Sequence, residues 1–260
     1  PLWSRGLGDV YKRQPVDREG LQVEAALGLA ADARLAYVTP SHQAPLGGEL
    51  SPARRLALLR WASERGSYIF EDDYDSEYRF VAKPIPALRS MPGADASVIL
   101  AGTFSKLLFP SLRLAYVVLP PQLVDGFTRL VSLTARHANS LSQAVLADFI
   151  EQGHFDRHLR RMRKLYAARA EAFADAAERH WQELIEVPPI RAGLDVVCRL
   201  HGIDELAAQA RLAEAGIDVM PLQLYGVKPQ APGLVMGFAP YREAAIEQAA
   251  REVARLLRRR

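Results

Sequence analysis

One lysine and one arginine lie close together in a stretch that is otherwise apolar or hydroxylated. An apolar run, 98–101, precedes the turn and a second, 114–119, follows it, so the pattern predicts two buried strands around a polar turn. Lysine can form a Schiff base with a carbonyl compound, and hydroxyl groups with an arginine can bind phosphate. The candidate residues are Thr103, Ser105, Lys106 and Arg113.

A ligand that suits this turn is anionic and has an electrophilic end. Pyridoxal phosphate has both properties, because its phosphate can meet the hydroxyls and Arg113 while its aldehyde meets Lys106. The alternative is a surface turn with an ordinary solvated lysine, since short motifs often occur by chance.

A second polar group, 71–77, ends another apolar strand. Open α/β sheets bind ligands at such strand ends. Side chains alternate along a strand, so Asp72 and Tyr74 are expected to share one face. Asp72 suits the protonated pyridine nitrogen of the cofactor, and Tyr74 suits its 3′-oxygen. For Asp73, Asp75 and Glu77 we expect a solvated acidic turn.

Metal sites are the competing interpretation of the polar residues. The acidic run lacks the glycine of a calcium loop and a nearby histidine. His154 and His158 stand four apart on a basic helix, but Asp156 would point away from their shared face. We therefore expect no metal.

Bulk composition is that of a globular protein. Hydrophobic residues make up 49% and charged residues 24% of the 260, and no apolar run approaches the length that spans a bilayer. The single cysteine, Cys198, excludes an intrachain disulfide, so with no secretory signal visible we expect a cytoplasmic setting. The net charge of +3 gives no dense basic patch for nucleic acid.

Strands and helices alternate in the first half of the chain, which favours an α/β layer with a mainly parallel sheet. The second half predicts a long helix followed by a small α+β unit. Predicted helices include 21–33, one from Ser51-Pro52 to about Glu64, and 155–181; predicted strands include 35–39, 67–70, 194–200, 217–220 and 234–238.

The first residues do not read as native sequence. The DNA that would encode Asp9–Gln14 resembles a transposon end used in sequencing libraries, so we interpret 1–14 as a non-native scar and expect the N-terminal part of the parent protein to be missing. The predicted organisation is 15–155 as part of a cofactor-binding large domain, 156–184 as a long connecting helix, and 185–260 as a small C-terminal domain.

Four motifs in order resemble the aminotransferase-like domain of the MocR/GabR family of bacterial transcription regulators. The long-helix segment 153–166 resembles that family too, and the likeness runs from about Pro15 to the C-terminus. The motifs are Tyr37–Gly47, Glu71–Glu77, Gly102–Lys106 and Leu112–Pro120.

This resemblance implies the type I fold of aspartate aminotransferase, a pyridoxal 5′-phosphate cofactor and a homodimer. It implies DNA binding only through a winged helix-turn-helix that this chain lacks. Lys106 then corresponds to the lysine that forms the Schiff base, Asp72 to the partner of the pyridine nitrogen and Tyr74 to the residue at the 3′-oxygen. Thr103, Ser105 and Arg113 correspond to phosphate contacts, and His42 to a candidate neighbour of the ring.

Two departures from the family pattern concern the pocket. Ala44 and Leu46 replace an aromatic residue and a threonine of the family loop, and the strand 234–239 lacks an arginine that often binds a substrate carboxylate. The resemblance favours an effector domain of a GntR/MocR-type regulator, which forms a Schiff base with an amino compound. The alternatives are a free-standing class I/II aminotransferase and a scaffold that keeps only the fold.

Overall fold

The computed structural model describes residues 12–81, 85–135, 139–226 and 231–258. The chain divides into two compact units. The first falls within Pro1–Gln43, Gly48–Tyr74 and Pro86–Asn139, and the second within Ala44–Gly47, Asp75–Ile85 and Ser140–Arg260. Of the predicted scar 1–14, residues 1–11 lie outside the described part. The proposed boundaries at 155 and 184 stay predictions.

The first unit alternates strands and helices, as the sequence predicts. Its elements are β1 (Val16–Asp17), β2 (Gly20–Leu21), α1 (Val23–Leu29), β3 (Leu35–Val38), α2 (Pro52–Arg65), β4 (Tyr68–Asp73), β5 (Val98–Thr103), α3 (Phe104–Leu107), β6 (Ala115–Val118) and α4 (Val124–Thr134).

The main sheet of this unit has the order β3-β4-β5-β6. The β3–β4 and β4–β5 pairs are parallel and β5–β6 is antiparallel, so the sheet is mixed with parallel strands. One face is packed: Val38, Ile69 and Val98 join Leu58 and Trp61 of α2 in a single buried cluster. Alternation along the strands places Tyr37, Phe70 and Asp72 on the opposite face.

Helix α2 shows why local sequence sets element bounds. Ser51 has an extended backbone, Pro52 occupies the first helical turn, and Gly66 ends the helix in the left-handed conformation at φ 59°. Proline suits the first turn because its missing N–H needs no partner there, and glycine suits the end because it lacks a Cβ. The predicted start is confirmed.

The last strand of the sheet differs from its prediction. All four residues of β6 are exposed, so the expectation of a buried strand over 114–119 is wrong for 115–118. β6 lies at the sheet edge and pairs with β5 alone among the described strands, which leaves it uncovered on one side. α4 likewise buries none of its described side chains.

The second unit is built on a wholly antiparallel sheet. Its described elements are α5 (Ser140–Glu151), α6 (His154–His180), β7 (Ile185–Glu186), β8 (Asp195–Leu200), α7 (Glu205–Glu214), β9 (Met220–Pro221), β10 (Gly233–Gly237) and α8 (Glu243–Arg258). The sheet order is β7-β8-β10-β9.

A single large core unites this unit. Phe173 of α6, Cys198 of β8, Leu212 of α7, Leu234 of β10 and Val253 of α8 all belong to one buried cluster. Burial raises the pKa of the Cys198 thiol, which therefore stays protonated and serves as a core residue. None of the described helices is long and apolar enough to cross a membrane.

Candidate functional site

The turn after β5 holds its polar residues on a short, anchored helix. Thr103, the last residue of β5, caps α3: its Oγ1 accepts a hydrogen bond from the Ser105 N–H at 3.1 Å. Leu107 is buried while Lys106 is exposed, so an apolar anchor fixes the turn and leaves the amine accessible. The Thr103 hydroxyl uses only a lone pair for the cap, and its proton remains able to donate to a phosphate.

Arg113 returns to the same turn. The Phe104 N–H donates to the Leu114 carbonyl at 3.1 Å. Thr103 pairs with Ala115 across the antiparallel strands, so the excursion from 104 to 114 is closed at its base. Arg113 has a left-handed backbone, φ 54°, which costs a residue with a side chain about 1 kcal/mol. Closure of the loop therefore holds Arg113 next to the turn that carries Lys106.

Asp72 lies on the strand beside this turn. It pairs with Ala101 in the parallel β4–β5 register, and Thr103 follows two residues later, so Asp72 and Thr103 project from the same face. Asp72 is half-buried. Its Oδ2 accepts a hydrogen bond from the Tyr37 hydroxyl. Oδ1 has no hydrogen bond to another described residue, so one oxygen of an oriented carboxylate is available to a ligand.

Tyr74 and His42 are brought together just beyond β4. The Tyr74 hydroxyl donates to the His42 carbonyl at 3.0 Å and lies 3.2 Å from His42 Nδ1. The two rings are 6.0 Å apart. His42 is buried, so this contact holds the loop after β3 against the end of β4. A phenol oxygen carries lone pairs as well as its proton, so the Tyr74 hydroxyl could also accept from a ligand.

Tyr37 contacts Asp72 through its hydroxyl, and the sequence did not predict this contact. Tyr37 is 63% exposed, and partial desolvation followed by its hydrogen bond to Asp72 raises the pKa of its hydroxyl. The group therefore stays a protonated donor at neutral pH. Parallel pairing of β3 with β4 places Tyr37 opposite Phe70. The proximity of Tyr37 to Asp72 follows from this strand register, which the sequence pattern alone does not reveal.

Sequence reasoning also gave no role to Glu71. Its carboxylate is fully buried and accepts hydrogen bonds from the Leu88 and Arg89 N–H groups at 2.6 and 2.8 Å. Burial raises the pKa of Glu71. Asp75, expected to be solvated, is buried instead, so that expectation is wrong for this residue. The 71–77 run therefore contains a carboxylate that anchors backbone, at Glu71, and another on the opposite face of the strand, at Asp72.

The donor set fits pyridoxal phosphate. One face of the sheet end presents a carboxylate with an available oxygen at Asp72 and a hydroxyl at Thr103, and the adjoining turn carries an exposed amine and a guanidinium at Lys106 and Arg113. These four groups suit the ring nitrogen, the aldehyde and the phosphate of such a ligand. Among the described residues, no group of three or more histidine, cysteine or acidic side chains could hold a metal ion.

Comparison with known proteins places these residues in a family. A family model described as aminotransferase class I and II matches residues 13–252. The "Probable rhizopine catabolism regulatory protein MocR" of Rhizobium meliloti is 44% identical over 230 residues, which cover 86% of this chain and 45% of that protein. The uncharacterized HTH-type transcriptional regulator YdeL of Bacillus subtilis is 36% identical, and the match covers 90% of this chain and 50% of that protein.

A solved structure gives the same fold. The α-aminoadipate aminotransferase LysN of Thermus thermophilus, complexed with N-(5′-phosphopyridoxyl)-L-leucine, superposes with a TM-score of 0.84 at 26% identity. The match covers 94% of this chain and 64% of LysN. The chain thus spans about half the length of the curated relatives MocR and YdeL. It belongs to the aminotransferase class I and II family, with the type I fold of pyridoxal-phosphate enzymes and a strong likeness to the aminotransferase-like domain of MocR-type regulators.

Proposed function

We propose that this chain is the pyridoxal-phosphate-binding effector domain of a MocR-type transcription regulator. In the intact regulator, a winged helix-turn-helix outside this chain binds DNA, and the protein acts as a homodimer in the cytoplasm. An amino compound that binds at the cofactor changes the balance between two conformers, and with it the affinity for DNA. The likeness to MocR and YdeL over most of the chain supports this function.

The observation that carries the proposal is the common face of Asp72 and Thr103 beside the Lys106 turn. Bound pyridoxal phosphate supplies an aldehyde that condenses with primary amines. Lys106 supplies the protein's amine, and its exposure on α3 leaves room for an incoming amine to replace it. Asp72 holds the proton on the ring nitrogen through the oxygen that Tyr37 leaves available.

The remaining predicted residues have supporting roles in this proposal. Thr103, Ser105 and Arg113 bind the phosphate in this proposal. Thr103 and Ser105 lie at the turn after β5, and Arg113 lies at the end of the loop that this turn begins. Tyr74 accepts from or donates to the 3′-oxygen, and His42 fixes the Tyr74 hydroxyl at one wall of the ring pocket.

A second candidate function is catalysis as a free-standing aminotransferase. The 2-aminoadipate transaminase of Thermus thermophilus is 28% identical over 191 residues, which favours this alternative to a lesser degree. In that case Lys106 would also move the proton between the substrate α-carbon and the cofactor. No arginine occurs in β10, where aminotransferases often bind a substrate carboxylate, so the standard binding mode for an amino acid has no support in this strand.

The decisive experiment compares DNA affinity with and without amines. The gene is recovered with its upstream sequence, and the intact protein is titrated onto its own promoter DNA with a panel of amino compounds. We expect one class of amine to change the DNA affinity in the wild type and to have no effect in Lys106→Ala. A coding sequence without a winged helix, together with steady amino-group transfer to a keto acid, would instead establish the aminotransferase.

A further inference from the structure

Tyr37 is held by two contacts on the open face of the first sheet. Its ring stacks on Phe70 of the neighbouring strand, with centroids 5.4 Å apart and planes 10° from parallel. The β3–β4 register pairs the same two residues. Stacking with a paired neighbour limits where the hydroxyl can lie, although 63% of the side chain is exposed.

The hydroxyl reaches along β4 to the next residue on that face. Asp72 follows Phe70 by two positions, and its Oδ2 accepts a hydrogen bond from the Tyr37 hydroxyl. A carboxylate on a half-exposed strand end has several rotamers of similar energy. A directed donor selects one of them and leaves Oδ1 as the oxygen that faces a ligand, so the pair forms an oriented acceptor.

We infer that Tyr37 is a positioning residue that fixes the Asp72 carboxylate for the ring nitrogen of pyridoxal phosphate. This inference rests on the proposed function, because it needs the cofactor at Asp72. Supporting hydrogen bonds of this kind keep a ligating group in its productive orientation and change affinity without touching the ligand.

A double-mutant cycle separates positioning from a general structural role. Cofactor affinity is measured by titrating the intact protein with pyridoxal phosphate and following the visible absorption band of the bound form. Tyr37→Phe keeps the stacking ring and removes only the hydroxyl. We expect it to weaken binding roughly threefold to tenfold in the wild-type background and less than about twofold in the Asp72→Ala background.

Tyr68→Phe serves as the matched control, since Tyr68 lies at the opposite end of β4 and the substitution removes a hydroxyl from the same strand. It should leave cofactor affinity unchanged. Equal losses for Tyr37→Phe in both backgrounds, or no loss in the wild type, would overturn the positioning role. A wild-type protein without the visible band would refute the proposed function itself, so the two failures are distinguishable.

Discussion

The two units use their buried carboxylates in the same way but differ in what they leave open. In the second unit, the Glu205 carboxylate accepts hydrogen bonds from the N–H groups of Leu222, Gln223 and Gly233, with N–O distances of 3.2, 3.1 and 2.9 Å. In the first unit, the Glu71 carboxylate accepts hydrogen bonds from the N–H groups of Leu88 and Arg89. Both carboxylates anchor backbone through hydrogen bonds from N–H groups.

The difference lies in the faces of the two sheets. The second unit gathers α6, α7, α8 and its sheet around one continuous core. The first unit packs one face of its sheet on α2, while Tyr37 of the other face is exposed. The open face carries Asp72 and Thr103. The predicted cofactor contacts therefore lie on the face of the sheet that does not pack against α2. The comparison shows that the two buried acidic residues Glu71 and Glu205 anchor backbone, whereas the half-buried Asp72 keeps its carboxylate on the less covered face.

Removal of the anchor in the second unit should have the largest effect on stability. Glu205→Ala leaves three backbone N–H groups without their acceptor, and we expect a loss of about 3 kcal/mol in unfolding free energy. Thermal melting of the intact protein measures it, with the exposed Glu214→Ala of the same helix as control. An unchanged melting temperature would show that Glu205 does not anchor this segment.

Removal of the site carboxylate should affect the ligand more than the fold. In the proposed site Asp72 makes a charge-assisted hydrogen bond to the cofactor, which Asp72→Ala would remove, so we expect cofactor affinity to fall about tenfold to a hundredfold. The melting temperature of the apoprotein should change little, because Asp72 is half-buried. Unaltered affinity, or a melting loss as large as that of Glu71→Ala, would contradict the contrast between site and anchor.

The close approach at Gly102 should give a smaller effect. A Cβ at this position would overlap the Tyr116 ring, which packs across the glycine from the paired strand. Gly102→Ala should cost about 1 kcal/mol, because the half-exposed ring can swing partly away. Chemical denaturation measures the loss, and Tyr116→Ala should relieve it. A loss that persists in the double variant would assign it to the backbone.

The smallest effect is expected at the ion pair between Arg54 and Asp17, and this effect depends on pH. The bidentate hydrogen bonds from Arg54 lower the pKa of Asp17 from 3.8 to about 2. A lowered folded-state pKa adds stability above pH 4, and this is lost as the pH falls through 2. Asp17→Asn should lower the unfolding free energy by about 0.5 kcal/mol at neutral pH after solvent screening, and by nothing near pH 2. A difference that does not depend on pH would contradict the ion pair.

Local sequence signals predicted the helices whose bounds are set by residues close in sequence. Ser51-Pro52 and Gly66 bound α2, and the apolar spacing of 155–181 predicted the long helix that the structure places at His154–His180. The hairpin of β1 and β2 was missed, and its second strand overlaps the predicted helix 21–33, because two-residue strands have no periodicity to detect. Predicted strand 217–220 is reduced to Met220–Pro221, the part that pairs with β10.

The residue types of the candidate site follow from the sequence, but their contacts do not. Lys106, Asp72, Thr103 and Arg113 follow from the motifs, whereas the hydrogen bond of Tyr37 to Asp72 depends on the register between β3 and β4. Asp75 was expected to be exposed to solvent but is buried. An acidic run does not reveal which of its side chains the fold buries. Long-range pairing therefore accounts for what the sequence left undetermined.

Covalent trapping of the cofactor tests the central claim most directly. The intact protein is incubated with pyridoxal phosphate, reduced with borohydride, digested and analysed by mass spectrometry. Our account predicts a phosphopyridoxyl group on Lys106 and none on Lys83, Lys164 or Lys228. A stoichiometric adduct on any of those three, or none at all, would contradict it.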